Sequence, residues 1–335
     1  MRETITRYAD RLGFGAIVVS LLLTSFRDMY LWTLFQGVSP LHVAVLAFTL
    51  SAVFFLPVTL TRHRHDFRVL AKLPGQAILM NAACAVSWIA YFCALKALEP
   101  SLAQMLCAGM GPIVANVAEW RSGPAMRSSR AELALHLGIV ACLVLAVVPS
   151  LHSAFGGEGR SDRIVYGIVM ALVSGVTLAI YRVSCSVLNR NGVAPLTILA
   201  VRSPIVAVVA AVVAWSTGDT AVGAWSASGL ALVATNCIVL IVLPIYVNQV
   251  GVALAAPVTA GVASAFQPTL LFGLQALFGQ GRDDAAGSSP YAAICILVYS
   301  SFAMASTVLR GGKAGAAEAR SSRPLPLRWM GRPAH

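Results

Sequence analysis

Apolar residues in this chain neither alternate nor keep to one helical face. They run in long unbroken stretches, each closed by a short polar or proline-bearing segment. A helix needs about 20 apolar residues to cross a hydrocarbon core. On that measure ten spans are expected: Leu12–Phe35, Pro40–Thr61, Gly75–Leu95, Pro100–Trp120, Leu133–Leu151, Ile164–Leu188, Leu196–Ser216, Ser226–Val247, Val250–Phe278 and Pro290–Leu309. The ninth is longer than one crossing and is expected to tilt or break near Pro257. The connections are short, which suits one helical bundle. From Arg310 the chain turns to Arg, Gly, Ala and Pro, and 310–335 is expected to be a disordered basic tail. The expected fold class is all-α integral membrane.

Two segments stand apart from the rest. Ala94–Trp120 carries Gly109, Gly111 and Pro112 at its centre, with small residues Ala103, Cys107 and Gly111 at every fourth position. Tyr246–Gln275 repeats the character with Gly251, Pro257, Gly261 and Pro268. Proline removes a helical hydrogen bond, so such a helix needs neighbours or a water-filled cavity to satisfy the freed groups. Breaks are expected at Gly111 and Pro112 and at Pro257 and Pro268. Interrupted helices at matching places in two halves point to a transporter's substrate path.

The halves also match in register. Gly37-Val38-Ser39-Pro40-Leu41 recurs as Gly192-Val193-Ala194-Pro195-Leu196, a shift of 155 residues. The same shift carries Arg27 to Arg182, Asn81 to Asn236 and Tyr91 to Tyr246. Five spans are an odd number, so the second unit is expected to lie upside down relative to the first. The expected units are 1–151 and 164–309, two inverted five-helix repeats. With ten spans the termini share a side, and the loops of that side carry 17 Lys and Arg against 4 opposite. Both termini are therefore expected in the cytoplasm of an inner or plasma membrane.

Composition narrows the partners. Of 335 residues, 58% are hydrophobic and 11% charged, well under the charged share of a soluble domain. The net charge of +11 resides in loops and termini rather than in a basic stripe with interleaved aromatics, so no nucleic acid is expected. All seven cysteines lie inside apolar segments, without metal-ligand spacing, and read as small packing residues. The first apolar run is too long for a signal-peptide core and lacks a cleavage site, so it reads as an uncleaved first span. No nucleophile elbow, zinc-protease motif or phosphate loop is present, and neither catalysis nor a cofactor is expected.

Ala94-Leu95-Lys96, Gly111-Pro112, the stretch from Tyr166-Gly167 to Arg182, Ala200-Val201-Arg202 and Gln267-Pro268 carry a family resemblance. Over residues 12–309 the chain resembles the drug/metabolite transporter superfamily, in particular its EamA-type members. It departs in having Gln267-Pro268 where the family often has Glu-Pro, and Ala47 where it often repeats the arginine of the seventh span. The resemblance implies a secondary-active exporter of a small organic solute such as an amino acid or related metabolite. Alternating access would be driven by a coupling proton or sodium ion. Efflux of lipophilic cations is the alternative within that class, and an integral-membrane enzyme or a non-transporting sensor the alternative outside it.

Charge inside a membrane is costly, so it usually faces a bundle interior. Arg27 and Asp28 lie about 22 Å along the first span, at 1.5 Å per residue, and as neighbours are expected to point apart. Arg182 and Arg202 lie nearer the cytoplasm, where long side chains can snorkel to the interface. Asn81 and Asn236 are repeat-related amides, each ten residues before a repeated tyrosine. Tyr91 and Tyr246 read as interfacial aromatics, and Trp88, a turn deeper, as packing or a stacking surface. Gln104 and Gln267 add polarity beside the expected breaks. The expected substrate contacts are Arg27, Asp28, Asn81, Trp88, Gln104, Arg182, Asn236 and Gln267. Three intramembrane arginines against one acid favour an anionic or zwitterionic solute.

Overall fold

A computed structural model describes residues 2–121, 129–155, 161–219, 227–255, 257–278 and 290–321. Among them the regular structure is entirely helical. The order is α1 (Arg2–Leu34), α2 (Pro40–Arg62), α3 (Arg64–Lys72), α4 (Pro74–Ala97), α5 (Pro100–Arg121), α6 (Arg130–Phe155), α7 (Ser161–Arg190), α8 (Pro195–Ser216), α9 (Ala227–Cys237), a π-helical turn (Ile238–Val242), α10 (Leu243–Leu254), α11 (Pro257–Ala265), α12 (Gln267–Leu277) and α13 (Pro290–Ser321). Among the described residues eight stretches are long and apolar enough to cross a membrane: Asp10–Leu34, Pro40–Arg62, Pro74–Ala97, Arg130–His152, Asp162–Arg190, Pro195–Ser216, Ser228–Val252 and Tyr291–Gly311. Large apolar side chains such as Val53, Leu137, Val208 and Ile294 are exposed on their outer faces. An apolar exterior around an apolar interior belongs to a protein embedded in lipid.

Local chemistry sets the helix ends. Pro40, Pro74, Pro100, Pro195, Pro257 and Pro290 each open a helix, where the missing N–H costs nothing and φ is already helical. α7 and α8 end over glycines in the left-handed region, Gly192 at φ 89° and Gly218 at φ 70°. There the amides of Val193 and Asp219 turn back to the carbonyls of Leu188 and Ala214, at 3.1 and 2.9 Å.

The prolines inside helices behave differently from one another. α5 runs unbroken through Gly111 and Pro112, so the break expected there is absent. The ninth expected span is interrupted twice, at Ala255 before Pro257 and at Phe266 before Gln267-Pro268, which divides it among the end of α10, α11 and α12. Pro244 has no N–H for the carbonyl four residues earlier. The chain widens into the π-helical turn just before it, and Ser20 of α1 donates to the Pro244 carbonyl at 2.9 Å. Residues 310–321 continue α13 rather than being disordered, and 322–335 lie outside the described residues.

Helices of the first half pack mainly on helices of the second. The most extensive pairs are α4 with α7, α2 with α8, α1 with α10, α5 with α7, and α6 with α13. α4 is the most enclosed apolar span, with 61% of its apolar stretch buried against 28% for the peripheral α6. Small residues allow the close approaches. Ser87 and Ser174 each donate to the other's backbone carbonyl, at 3.1 and 2.8 Å, and draw α4 onto α7. A Cβ at Gly175 of α7 would stand 2.3 Å from the Cys107 carbonyl of α5.

Polar contacts tie the bundle at its two ends. At one end, Asp66 of α3 accepts from the Ala194 amide (2.8 Å) and the Thr197 hydroxyl (2.6 Å), capping α8, whose own cap residue Ala194 has no side-chain oxygen. At the same end His136 of α6 bonds Ser306 of α13 at 3.0 Å. At the other end Asp219, just past α8, bonds the Ser39 hydroxyl, and the His42 ring donates to the Asp219 carbonyl at 2.8 Å. Ser39 in turn caps α2 at the Leu41 amide. Gln275 of α12 accepts from the Ser101 amide, 3.1 Å away, at the start of α5.

Gly175→Ala is expected to part α7 from α5 and lower the thermal midpoint of the purified protein markedly, whereas Gly111→Ala, with no atom near a new Cβ, is expected to be neutral or mildly stabilising. Asp66→Ala removes the cap of α8 and is expected to cost about 1–2 kcal/mol, read as a fall in the same midpoint.

Candidate functional site

The deepest charge in the bundle is an ion pair between chain neighbours. Asp28 of α1 is fully buried and Arg27 is 5% exposed. Successive residues leave a helix about 100° apart. The arginine side chain is long enough to fold back, and its Nε and Nη2 both reach Asp28 Oδ1, at 2.8 and 2.7 Å. The pair expected to point apart is therefore closed on itself, and Arg27 is not an uncompensated cation. The second carboxylate oxygen, Oδ2, accepts from the Tyr91 hydroxyl of α4 at 2.8 Å. Tyr91 is thus a buried donor at the centre of the site, not an interfacial aromatic.

Gln104 of α5 completes the network, with its amide 2.7 Å from the same phenol oxygen. The single phenol hydrogen is shared between two acceptors, Asp28 Oδ2 and Gln104 Oε1. The Arg27 guanidinium lies 5.2 Å from the centroid of the Trp88 ring and 5.9 Å from that of Tyr91. Trp88 is held edge-on by Phe48 and Phe92, with centroids at 5.1 and 5.5 Å. Two aromatic faces and one carboxylate stand in for the water that this cation gave up.

Cys107 of α5 links the two halves. It is buried, its Sγ lies 3.5 Å from the Ser174 hydroxyl of α7, and Arg27, Asp28 and Arg182 all act on it electrostatically. The arginines separated by 155 residues thus both lie within electrostatic range of Cys107, one on α1 and one on α7. Arg182 is exposed, yet it also acts on Tyr299 of α13, which is 1% exposed. Arg202 of α8 does not snorkel: it is 4% exposed, donates to the Tyr181 hydroxyl of α7 and stands 5.2 Å over that ring.

The remaining expected residues are less central. Gln267 of α12 donates to Thr24 of α1, one turn before Arg27, at 3.3 Å. Asn81 is buried, but its amide nitrogen bonds the Ala77 carbonyl of its own helix. Asn236 is half-buried on α9 and no described bond joins it to the network. Tyr246, 155 residues after Tyr91, is exposed and stacks on Phe55 at 6.2 Å. Tyr91, Cys107 and Tyr181 were absent from the expected contacts. Sequence offers a weak signal for Tyr91 alone, because it lies three residues beyond Trp88 on the same helical face. No group of three or more metal-ligating side chains is present among the described residues.

Asp28→Ala leaves a guanidinium buried without its carboxylate, and is expected to cost about 3–5 kcal/mol. Replacing both charges, as in Arg27→Met with Asp28→Leu, is expected to restore most of that loss. Thermal melts of the two variants beside the wild type check both statements, and a small effect of Asp28→Ala would mean that water reaches Arg27.

No protein-family model matches the chain, and no curated protein matches it. A solved structure described only as the crystal structure of a protein resembles it with a TM-score of 0.59 at 20% identity, over 92% of this chain and 99% of the other. What the two share at that identity is the fold, an all-helical bundle.

Proposed function

We propose that the chain is a secondary transporter of a small organic solute, built from ten spans in two inverted five-helix repeats, and of the EamA type that its sequence resembles. The observation that carries this reading is the polar network Arg27–Asp28–Tyr91–Gln104, meeting Arg182 around Cys107 where the halves join. Buried charge at the junction of two repeats is where transporters of this build hold their solutes.

The pattern of packing supports the repeat. Exchanging the halves turns the α4–α7 pair into the α10–α1 pair and returns α2–α8 and α6–α13 to themselves. The two acid caps exchange as well: Asp66 of the first half holds the start of α8, and Asp219 of the second holds the start of α2. Ten passes gain support from the end contacts. Asp66 with Ala194 and His136 with Ser306 fall at one end, and Ser39 with Asp219 and Ser101 with Gln275 at the other, as ten alternating crossings require. The basic loops favour cytoplasmic termini in an inner or plasma membrane. Export, and coupling to a proton or sodium ion, rest on the family resemblance alone.

Arg27 is neutralised by Asp28, so the cation available to a solute in the centre is Arg182, with Gln104 and Trp88 beside the network. Both oxygens of Asp28 are occupied, which disfavours a lipophilic cation, since such a solute needs a free acid. An amino acid or organic acid fits the residual positive charge. Proteoliposomes screened against pools of amino acids, organic acids and cationic dyes are expected to move a member of the first two. Arg182→Ala is expected to lower that transport roughly tenfold or more, the effect of losing one charged hydrogen bond. Full transport by folded Arg182→Ala, or movement of dyes alone, would overturn the solute class.

A further inference from the structure

One buried cation has no counter-charge. Arg202 of α8 is 4% exposed, and no carboxylate lies within ion-pair distance of it among the described residues. Its neighbours are neutral. Nη1 donates to the Tyr181 hydroxyl, the guanidinium rests over the Tyr181 ring, and the Cys84 thiol of α4 lies within electrostatic range. Among the described residues the Nε–H has no partner. A guanidinium carries five donors in a planar fork, and burying one half-satisfied is costly. Arg27, in the same bundle, shows what satisfaction looks like, with two nitrogens on one carboxylate oxygen.

Arg202 lies toward the end of the bundle where Asp66 caps α8. Arg182 and Arg202 both lie within electrostatic range of Cys185 on α7, so the two cations are near neighbours along that helix.

We propose that Arg202 is a second anion station, where the carboxylate of a small organic acid docks on the unfilled edge of the guanidinium, with Tyr181 and Cys84 orienting it. The site rests on the transporter reading for its role in passage, although binding at Arg202 stands or falls separately. A planar fork suits a bidentate oxyanion, and the thiol and phenol give the site donors without opposing charge. A lipid phosphate offers the same chemistry. The free carboxylate is favoured because Arg202 is enclosed by α4, α7 and α8 rather than facing the lipid side.

The test reads binding rather than transport. The full chain is purified in a non-ionic detergent, and its melting midpoint is followed with about 10 mM glutarate, inorganic phosphate, choline or short-chain phosphatidylglycerol, since a ligand of the folded state raises the midpoint. Glutarate is expected to raise it and choline to leave it unchanged. Arg202→Gln removes a lone buried charge, so it is expected to fold with an unchanged or higher midpoint and to lose the part of the glutarate shift that Arg202 supplies. Arg202→Lys keeps the charge without the fork and is expected to weaken the shift. It decides the question should the glutamine variant not fold. Because an organic acid also fits Arg182, Arg182→Gln is expected to lower the shift without abolishing it, and the double variant to abolish it. The proposal is overturned by the absence of a glutarate shift in the wild type, by an undiminished shift in Arg202→Gln, by complete loss of the shift in Arg182→Gln alone, or by a response to phosphatidylglycerol alone. None of these results depends on whether proteoliposomes move a solute, so a failed transport assay and a failed anion station remain distinguishable.

Discussion

A charge inside an apolar bundle has no water to solvate it, and that constraint organises the centre of this protein. The Arg27–Asp28 pair satisfies itself only in part, because each group has more hydrogen-bonding capacity than its partner can use. Tyr91 therefore comes from α4 to the second carboxylate oxygen, Gln104 comes from α5 to the phenol, and Trp88 covers the guanidinium. Each of those side chains is presented by a different turn or helix, so the ion pair sets the mutual register of α1, α4 and α5. Such a network is worth having only if every member is satisfied, since a half-paired buried charge is worse than an apolar core.

Backbone groups obey the same rule and shape the second half. Pro244 frees a carbonyl, which the chain answers with a π-helical turn, while Ser20 satisfies the carbonyl of Pro244 itself. The starts of α2 and α8 are answered by acids from the opposite half, Asp219 and Asp66. These caps tie the first half of the chain to the second where α2 crosses α8, while Ser87 and Ser174 tie them where α4 meets α7. The interface between the halves is thus held by small residues in the middle and by charge at both ends.

Much of the architecture was legible in the chain itself. Stretches of about 20 apolar residues declare helices by length alone, because backbone groups in lipid must be satisfied within the segment. Proline before an apolar run marks a helix start for a reason local to that residue, as at Pro40, Pro195 and Pro257. Gly192 and Gly218 end their helices through a φ that only glycine adopts readily. Those features depend on a few consecutive residues, so sequence determines them.

Side-chain partners were a different matter, because they depend on which helix lies beside which. Adjacency alone set Arg27 and Asp28 apart, yet a long side chain folded back against neighbouring aromatics brings them together. Tyr91 and Tyr246 occupy matching places in the chain, but one is buried against Asp28 and the other exposed beside Phe55. Pro112 sits inside an unbroken helix, while Pro257 and Pro268 stand at real interruptions, although all three look alike in one dimension. Arg202 lies near enough to a helix end to snorkel, and only the enclosure by α4, α7 and α8 decides that it stays inside. Sequence determined where the helices are and that charge enters the membrane with them. Tertiary packing decided which of those charges are answered, since an answer must come from another helix.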